Sequence, residues 1–325
     1  MPCKKIDRKG LWGVVLAAGE GKRMDSFIRS VYGISSPKQY VAFTGEHSLL
    51  QQTLHRIAPL IPVERTRIVV DPKHIREIRS QLSHLPEETL LFQPHNRETA
   101  PGALLPLIHI ARLDPEARVA FFPADHFIHE EERFMRYVGM ADEVIHHHPD
   151  QIVLLGIRPD GPEVEYGWIA PGEPIDEING IKGVRRVARF LEKPAREVAA
   201  DFFQRGYLWN TFVSVMRAST LIDLARRHLP HIWKRFERMK GLIGTDLSGV
   251  TMAREYEAMA PATLSHGIFE RSPDRIVVLE VEGVYWSDWG NGHRVLHTLR
   301  QLGKASRWEK ERAVHLEAWE KSRPA

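Results

Sequence analysis

Between Leu16 and Arg23 the chain reads Leu16-Ala17-Ala18-Gly19-Glu20-Gly21-Lys22-Arg23. Glycines let a backbone approach an anion and present N–H groups to it. Lys22 and Arg23 supply cations for the same phosphates. By itself the run serves equally well as an ordinary glycine turn. Two sharper phosphate motifs fail on spacing. A Walker loop needs Gly-x-x-x-x-Gly-Lys-Ser/Thr, but Leu16 holds its first glycine position and Arg23 its hydroxyl position. The dinucleotide pattern Gly-x-Gly-x-x-Gly fails because Met24 stands at its third glycine. Lys38, in Ser36-Pro37-Lys38-Gln39-Tyr40, follows closely, and a lysine there can neutralise a transferring phosphoryl group. Standing alone, such a lysine is more often a solvated charge. Asp125 ends an apolar run at Pro123-Ala124, and Asp288 stands in Trp286-Ser287-Asp288-Trp289-Gly290. Mg²⁺ takes one or two carboxylates together with phosphate oxygens and water. Both aspartates could reach one such site, although a lone Asp at a strand end more commonly caps a turn or helix.

These residues need elements to hold them. Trp12 to Ala18 is a nearly continuous apolar run leading into glycines, the pattern of a buried parallel strand. Further strands are predicted at Arg67–Val70, Thr89–Phe92, Val119–Phe122 and Ile152–Ile157. Helical spacing predicts helices over Leu49–Leu60, Pro72–Leu85, Thr99–Leu113 and Glu130–His147. Thr99 is placed to cap the third of these, with Pro101 in its first turn. The stripe Leu104, Leu105, Leu107 and Ile108 reads as core. Strand–helix–strand repetition at this spacing predicts an open α/β sheet flanked by helices, with ligands at the carboxyl ends of the strands. The second half is less regular: strands at Val184–Phe190, Phe212–Met216 and Ile276–Val281, and helices at Ala195–Arg205, Thr220–Met239 (broken at Pro230) and Arg294–Leu302. His146-His147-His148 ends a helix before Pro149 and reads as a solvated terminus.

Composition narrows the function classes. The chain has 325 residues, 43% of them hydrophobic, ample for a large core. A net charge of +3 with interleaved signs does not suggest nucleic acid as a partner. The single cysteine, Cys3, excludes a disulfide framework and a cysteine zinc site. No apolar run approaches the roughly 18 residues a membrane helix needs, and the charged N-terminus is no signal peptide. The expectation is a cytoplasmic protein that binds neither membrane nor nucleic acid. Residues 1–10 read as a mobile N-terminus, 11–303 as one catalytic domain, and 304–325 as a helical tail. Two destinations are open for that tail, which carries Trp308 and Trp319: the body of the domain, or a partner subunit in a homodimer.

Read in order, the motifs resemble one family. Gly19-x-Gly21-x-Arg23-Met24 followed by Pro37-Lys38-Gln39 resembles the nucleotidyltransferases that make nucleoside-diphosphate sugars. Gln93-Pro94-His95-Asn96-Arg97-Glu98-Thr99-Ala100-Pro101 is similar to the Glu-Pro-x-x-Arg-Asn-Thr-Ala-Pro segment of mannose-1-phosphate guanylyltransferases. Phe122-Pro123-Ala124-Asp125-His126 resembles their Pro-Ser-Asp-His. Gly156-Ile157-Arg158-Pro159, Glu165-Tyr166-Gly167-Trp168-Ile169, Phe190-Leu191-Glu192-Lys193-Pro194, Trp209-Asn210-Thr211 and Trp286-Ser287-Asp288-Trp289-Gly290 continue the likeness in sequence order. Any one piece is weak; the ordered set, from about residue 12 to about residue 303, is specific.

The resemblance implies a mixed, mostly parallel Rossmann-like sheet of the nucleotide-diphospho-sugar transferase type, with an inserted sugar-side lobe. It implies transfer of a nucleotidyl group from a nucleoside triphosphate to a sugar 1-phosphate, with Mg²⁺ as cofactor and pyrophosphate released. GTP and mannose 1-phosphate head the expected substrates. Arg23, Lys38 and Asp125 are the implied catalytic residues, and Asp125 and Asp288 the metal ligands. Leu16, Ala17, Ala18, Gly19, Gly21, Lys22, Gln93, Asn96 and Thr99 are the implied nucleotide site. Gly167, Glu192, Lys193 and Asn210 are the implied sugar-phosphate site. The chain departs from the family pattern at Lys22 (usually Thr), Gln93 (usually Glu), Glu98 (usually Asn) and Glu165 (usually Gly). Two other readings stand beside this one. The cytidylyltransferase of isoprenoid synthesis shares the glycine loop and Pro-Lys-Gln-Tyr, but is shorter and lacks the Glu-Lys-Pro and Trp-Asn elements. A non-catalytic sugar-nucleotide-binding homologue is disfavoured because Arg23, Lys38, Asp125, Lys193 and Asp288 are all present.

Overall fold

The computed structural model describes residues 10–245 and 248–303, together with 312, 314–316 and 319. Among these residues eleven strands form, in chain order: β1 Leu11–Leu16, β2 Thr66–Val70, β3 Leu90–Phe92, β4 Arg118–Pro123, β5 Phe127–Ile128, β6 Ile152–Ile157, β7 Gly167–Pro174, β8 Val184–Glu192, β9 Leu208–Arg217, β10 Ile276–Val281 and β11 Trp286–Ser287. Nine make one sheet in the order β3-β2-β1-β4-β9-β6-β10-β8-β7, and β5 pairs with β11 in a small second sheet.

The first half of the sheet follows the sequence reading. β1 pairs parallel with β2 and with β4, and β2 pairs parallel with β3. β2, β4 and β6 are buried along their whole length, as befits predominantly apolar strands covered on both faces. The expectation of a mostly parallel sheet fails in the second half. There β9 runs antiparallel to β4, β6 and β7, and β8 runs antiparallel to β7 and β10. Only β6 and β10 pair parallel there. The reason is topological: β7 and β8 form a hairpin, and β9 enters between β4 and β6 in the opposite sense to both. β7 has no counterpart in the sequence reading, because its Gly-, Pro- and Glu-containing stretch lacks an alternating pattern.

Helices Thr99–Leu113, Glu131–His147 and Ala218–His228 have wholly buried faces against the sheet. The helix predicted over 220–239 divides at Pro230, which opens the second helix, Pro230–Lys240. Proline belongs at that first-turn position, where no N–H is needed. Thr99 does not cap its helix. Glu98 occupies the cap position without a side-chain cap, and Thr99 Oγ1 instead accepts from the Leu264 N–H at 2.9 Å. A third apolar cluster joins helix Asp25–Tyr32, Trp289 and helix Gly292–Gln301. Trp319 of the tail packs edge-on against Phe27 in that cluster, with ring centroids 4.9 Å apart. Residues 1–9, Trp308 and most of 304–325 lie outside the described residues. No helix among those described is long and apolar enough to cross a membrane.

Candidate active site

The carboxyl ends of β1 and β4 open onto a cleft of about 840 Å³ counted to its mouth. Leu16, Ala18, Gly19, Gln93, Asn96 and Thr99 line it. These are six of the residues read as the nucleotide site. Ala17, Gly21 and Lys22 do not line it. Ala17 continues the ladder, donating its N–H to Val69 at 2.8 Å. Lys22 is exposed and pairs with Glu20, not with the cleft. Gly21 is needed for the turn itself, since its φ is 66° and a Cβ there would stand 3.1 Å from the Lys38 backbone nitrogen. Gly19 differs, because a Cβ there would meet nothing within 4 Å. No packing demands glycine at 19, which leaves its bare backbone open to a ligand.

Gln39 explains why the glycine loop and the Pro-Lys-Gln run belong together. Its buried amide donates to the carbonyls of Ala17 and Gly19, both at 2.8 Å. Its neighbour Lys38, only 5% exposed, reaches the other way. The Lys38 ammonium lies 2.9 Å from Asp125 Oδ2 and donates to the backbone carbonyl of Asp288. The two aspartates, remote in sequence, meet because Phe127 pairs with Ser287 and Ile128 with Trp286. Burial alone would raise the Asp125 carboxyl, but Lys38 and His126 outweigh it and hold it below the usual carboxylate range. Asp288 behaves alike: burial is overcome by Lys38, Arg294 and His126 and by the Gly290 N–H. Both are therefore anions at neutral pH. Arg23 pairs with Glu165, and its other amino group stands 3.9 Å from Asp288 Oδ2.

Among the described residues no group of three or more His, Cys, Asp or Glu side chains is arranged to hold a metal ion. Two carboxylates near one lysine, Asp125 paired with its ammonium and Asp288 under its charge, still fit Mg²⁺, which keeps several waters and takes its remaining ligands from phosphate.

Gln93 and Glu98 are the chain's departures from the family pattern in the cleft. Gln93 is buried and donates its amide to the His95 carbonyl at 2.9 Å. Its oxygen then faces helix Thr99–Leu113, where a Cβ on Gly102 would stand 3.2 Å from it. Glu98 is held at φ 69° by an Asx turn, its N–H donating to Asn96 Oδ1 at 3.0 Å.

The other four predicted residues gather at the end of β7, β8 and β9. Gly167 pairs in register with Glu192. A Cβ on Gly167 would come 2.8 Å from Glu192 Oε2 and 3.4 Å from the Asn210 Cβ. That crowding is why glycine stands there. Asn210 owes its aim to an irregularity of β9. Leu154 pairs with Ser214 but Gly156 pairs with Asn210, so extra residues bulge, and Phe212 takes a φ of 66°. Bulges of this kind re-aim side chains beside sites. The Asn210 oxygen accepts from the Phe212 N–H at 3.1 Å. Lys193 is exposed, at φ 46°, with its N–H donating to the Tyr166 carbonyl at 3.1 Å. Burial pushes the Glu192 carboxyl up, against a hydrogen bond from Ser265 and the charges of Lys193 and His266.

Several residues escaped the sequence reading. Gln39 and Tyr166 lay inside quoted motifs but had no role assigned. Phe212 and His126 line the cleft. Ser265, His266 and Glu270 reach the Glu192 region from a π-helical turn at Ser265–Phe269. Arg294 lies on the helix after the last motif. No local signal marks the last four.

The chain is similar to several known proteins. The chain is 29% identical to mannose-1-phosphate guanylyltransferase of Escherichia coli (strain K12), over 86% of this chain and 58% of that protein. It is 31% identical to the alginate biosynthesis protein AlgA of Pseudomonas syringae pv. tomato, over 68% of this chain and 44% of that protein. The chain thus spans about half the length of the curated relatives it matches. Among solved structures, one described as mannose-1-phosphate geranyltransferase from Thermus thermophilus superposes with a TM-score of 0.74 at 29% identity, covering 88% of this chain and 79% of that one. A UDP-glucose pyrophosphorylase complexed with UDP-glucose shares the fold, with a TM-score of 0.53 at 13% identity over 92% of this chain and 98% of that one. The family described as Nucleotidyl transferase matches residues 12–303, and the chain belongs to it.

Proposed function

We propose that this chain transfers the guanylyl group of GTP to mannose 1-phosphate, releasing pyrophosphate. The observation that carries the reading is the buried Lys38 set between Asp125 and Asp288 at the mouth of the nucleotide cleft. Charge builds on phosphoryl oxygens during such a transfer, so catalysis rests on positioning and on placed cations. Lys38 and Arg23 supply those cations. Asp125 and Asp288 would hold Mg²⁺, which supplies charge neutralisation at the phosphates when bound. Gln93 supports guanine: with its amide spent on His95, it presents an acceptor, and guanine's base edge offers donors. Glu192, Asn210 and the backbone at Gly167 suit sugar hydroxyls, and Lys193 suits the sugar phosphate.

The test is a matrix of nucleoside triphosphates against sugar 1-phosphates with Mg²⁺, read as pyrophosphate release. GTP with mannose 1-phosphate should lead. CTP with a polyol phosphate leading would replace this reading with the isoprenoid one, and binding without turnover would favour a sensor. Asp125→Ala and Asp288→Ala should each abolish turnover with thermal unfolding largely unchanged. Full activity in either removes the metal assignment.

A further inference from the structure

The carboxylate of Asp288 is held by a frame in which Arg294 and its partner Glu163 lie outside the family motifs. Asp288 Oδ1 accepts three hydrogen bonds: from Tyr166 Oη at 2.9 Å, from the Gly290 N–H at 2.8 Å, and from the Arg294 guanidinium at 2.8 Å. Three donors on one oxygen fix the rotation of the carboxylate. The other oxygen, Oδ2, is left toward Arg23. A Cβ on residue 290 would stand 2.5 Å from Oδ2 and 2.7 Å from the Arg294 nitrogen, so only glycine admits the pair.

Arg294 is itself tied down. Its second amino group lies 2.7 Å from Glu163 Oε2, and its guanidinium stacks 4.5 Å from the Tyr166 ring centroid. Its side chain is 13% exposed. Glu163 in turn is fixed by the Glu165 N–H at 3.0 Å, and its carbonyl accepts from the Trp168 indole at 2.8 Å. One short loop thus touches the centre three times: Glu163 through Arg294, Glu165 through Arg23, and Tyr166 directly. A planar fork can bridge two carboxylates, which suits arginine, since lysine serves as a single point charge.

The geometry points to Arg294 as a positioning residue, braced by Glu163 and Tyr166, that turns Asp288 Oδ2 toward the metal and phosphates. The inference rests on the metal assignment proposed above. Residues that orient ligands typically affect metal affinity or activity by about 10–100-fold.

The test uses the full chain and two readouts: Mn²⁺ binding followed by electron paramagnetic resonance, and the Mg²⁺ dependence of turnover. Arg294→Ala should weaken Mn²⁺ binding and raise the half-saturating Mg²⁺ by about tenfold or more, leaving the KM for the sugar phosphate within about twofold. Arg294→Lys should recover part of the loss, because an ammonium meets one carboxylate but not both. Glu163→Gln, which removes the brace and keeps the shape, should cost a few-fold and serves if Arg294→Ala does not fold. Asp288→Asn distinguishes the positioning role of Arg294 from the metal assignment itself. If Asp288→Asn loses Mn²⁺ while folded Arg294→Ala and Glu163→Gln bind it as the parent does, the positioning role is overturned and the metal assignment stands. If Asp288→Asn binds Mn²⁺ unchanged, the metal assignment falls and this inference falls with it.

Discussion

The phosphate end of the cleft and the sugar side proposed for β7–β9 hold their lysines in opposite ways. Lys38 is buried, lies within 2.9 Å of Asp125, and donates to the backbone carbonyl of Asp288. Its neighbour Gln39 locks the glycine loop from the other face. Lys193 is exposed, and what is fixed is its backbone, at φ 46° with its N–H on Tyr166. A cation set in a water-poor site before the reaction needs no reorganisation as charge develops, so its effect falls on the transition state. An exposed lysine on a held backbone must capture its partner from water, so its effect falls on binding. Under the proposed function the same residue type therefore does two jobs, decided by burial.

The largest expected effect tests the buried side. Lys38→Met, of similar length, should lower kcat by about 10²–10³-fold, with the KM for mannose 1-phosphate little changed in steady-state assays. A pure KM effect would erase the distinction between the two lysines. Next is Gly167→Val, which drives a side chain into Glu192 Oε2 and the Asn210 Cβ. It should raise the KM for the sugar phosphate by well over tenfold while GTP binding, measured by calorimetry, stays within about twofold, because the crowding is confined to the sugar side. Lys193→Ala should raise the same KM by about tenfold, the scale of one charge-assisted hydrogen bond, with kcat held; an unchanged KM removes Lys193 from the sugar phosphate. Gln93→Leu keeps size but loses the acceptor, and should raise the KM for GTP by about tenfold without improving CTP. The smallest effect belongs to Lys22→Ala. Because Lys22 is exposed and turned to Glu20, both kcat and the KM for GTP should stay within about twofold, as for exposed ion pairs generally. A hundredfold loss would return Lys22 to the triphosphate.

How far each region could be read in advance follows the same divide. Helix Thr99–Leu113, strand Ile152–Ile157 and strand Ile276–Val281 have the bounds their sequence patterns predict. In each, one buried face or a fully buried run sets the period locally. The strand predicted at Phe212–Met216 is in fact Leu208–Arg217. Its first residues carry the bulge, and a bulge is a relation between two strands that one strand's sequence does not display. Tyr166 sat within a recognised motif, yet its bond to Asp288 depends on the packing of Arg294 behind it.

Sequence by itself determined the family and the parallel first half of the sheet. Both follow from apolar runs and ordered motifs, which are local and chemical. Tertiary structure alone decided that Lys22 faces away and Lys38 inward. It decided that β8 and β9 reverse, and that Asp125 and Asp288 meet through the β5–β11 ladder. It also decided that Arg294 holds Asp288. The strand reversals, the meeting of Asp125 with Asp288 and the bracing of Arg294 by Glu163 are pairings between segments far apart in the chain, and the energy of a buried charge or a strand register exists only once both partners are in place.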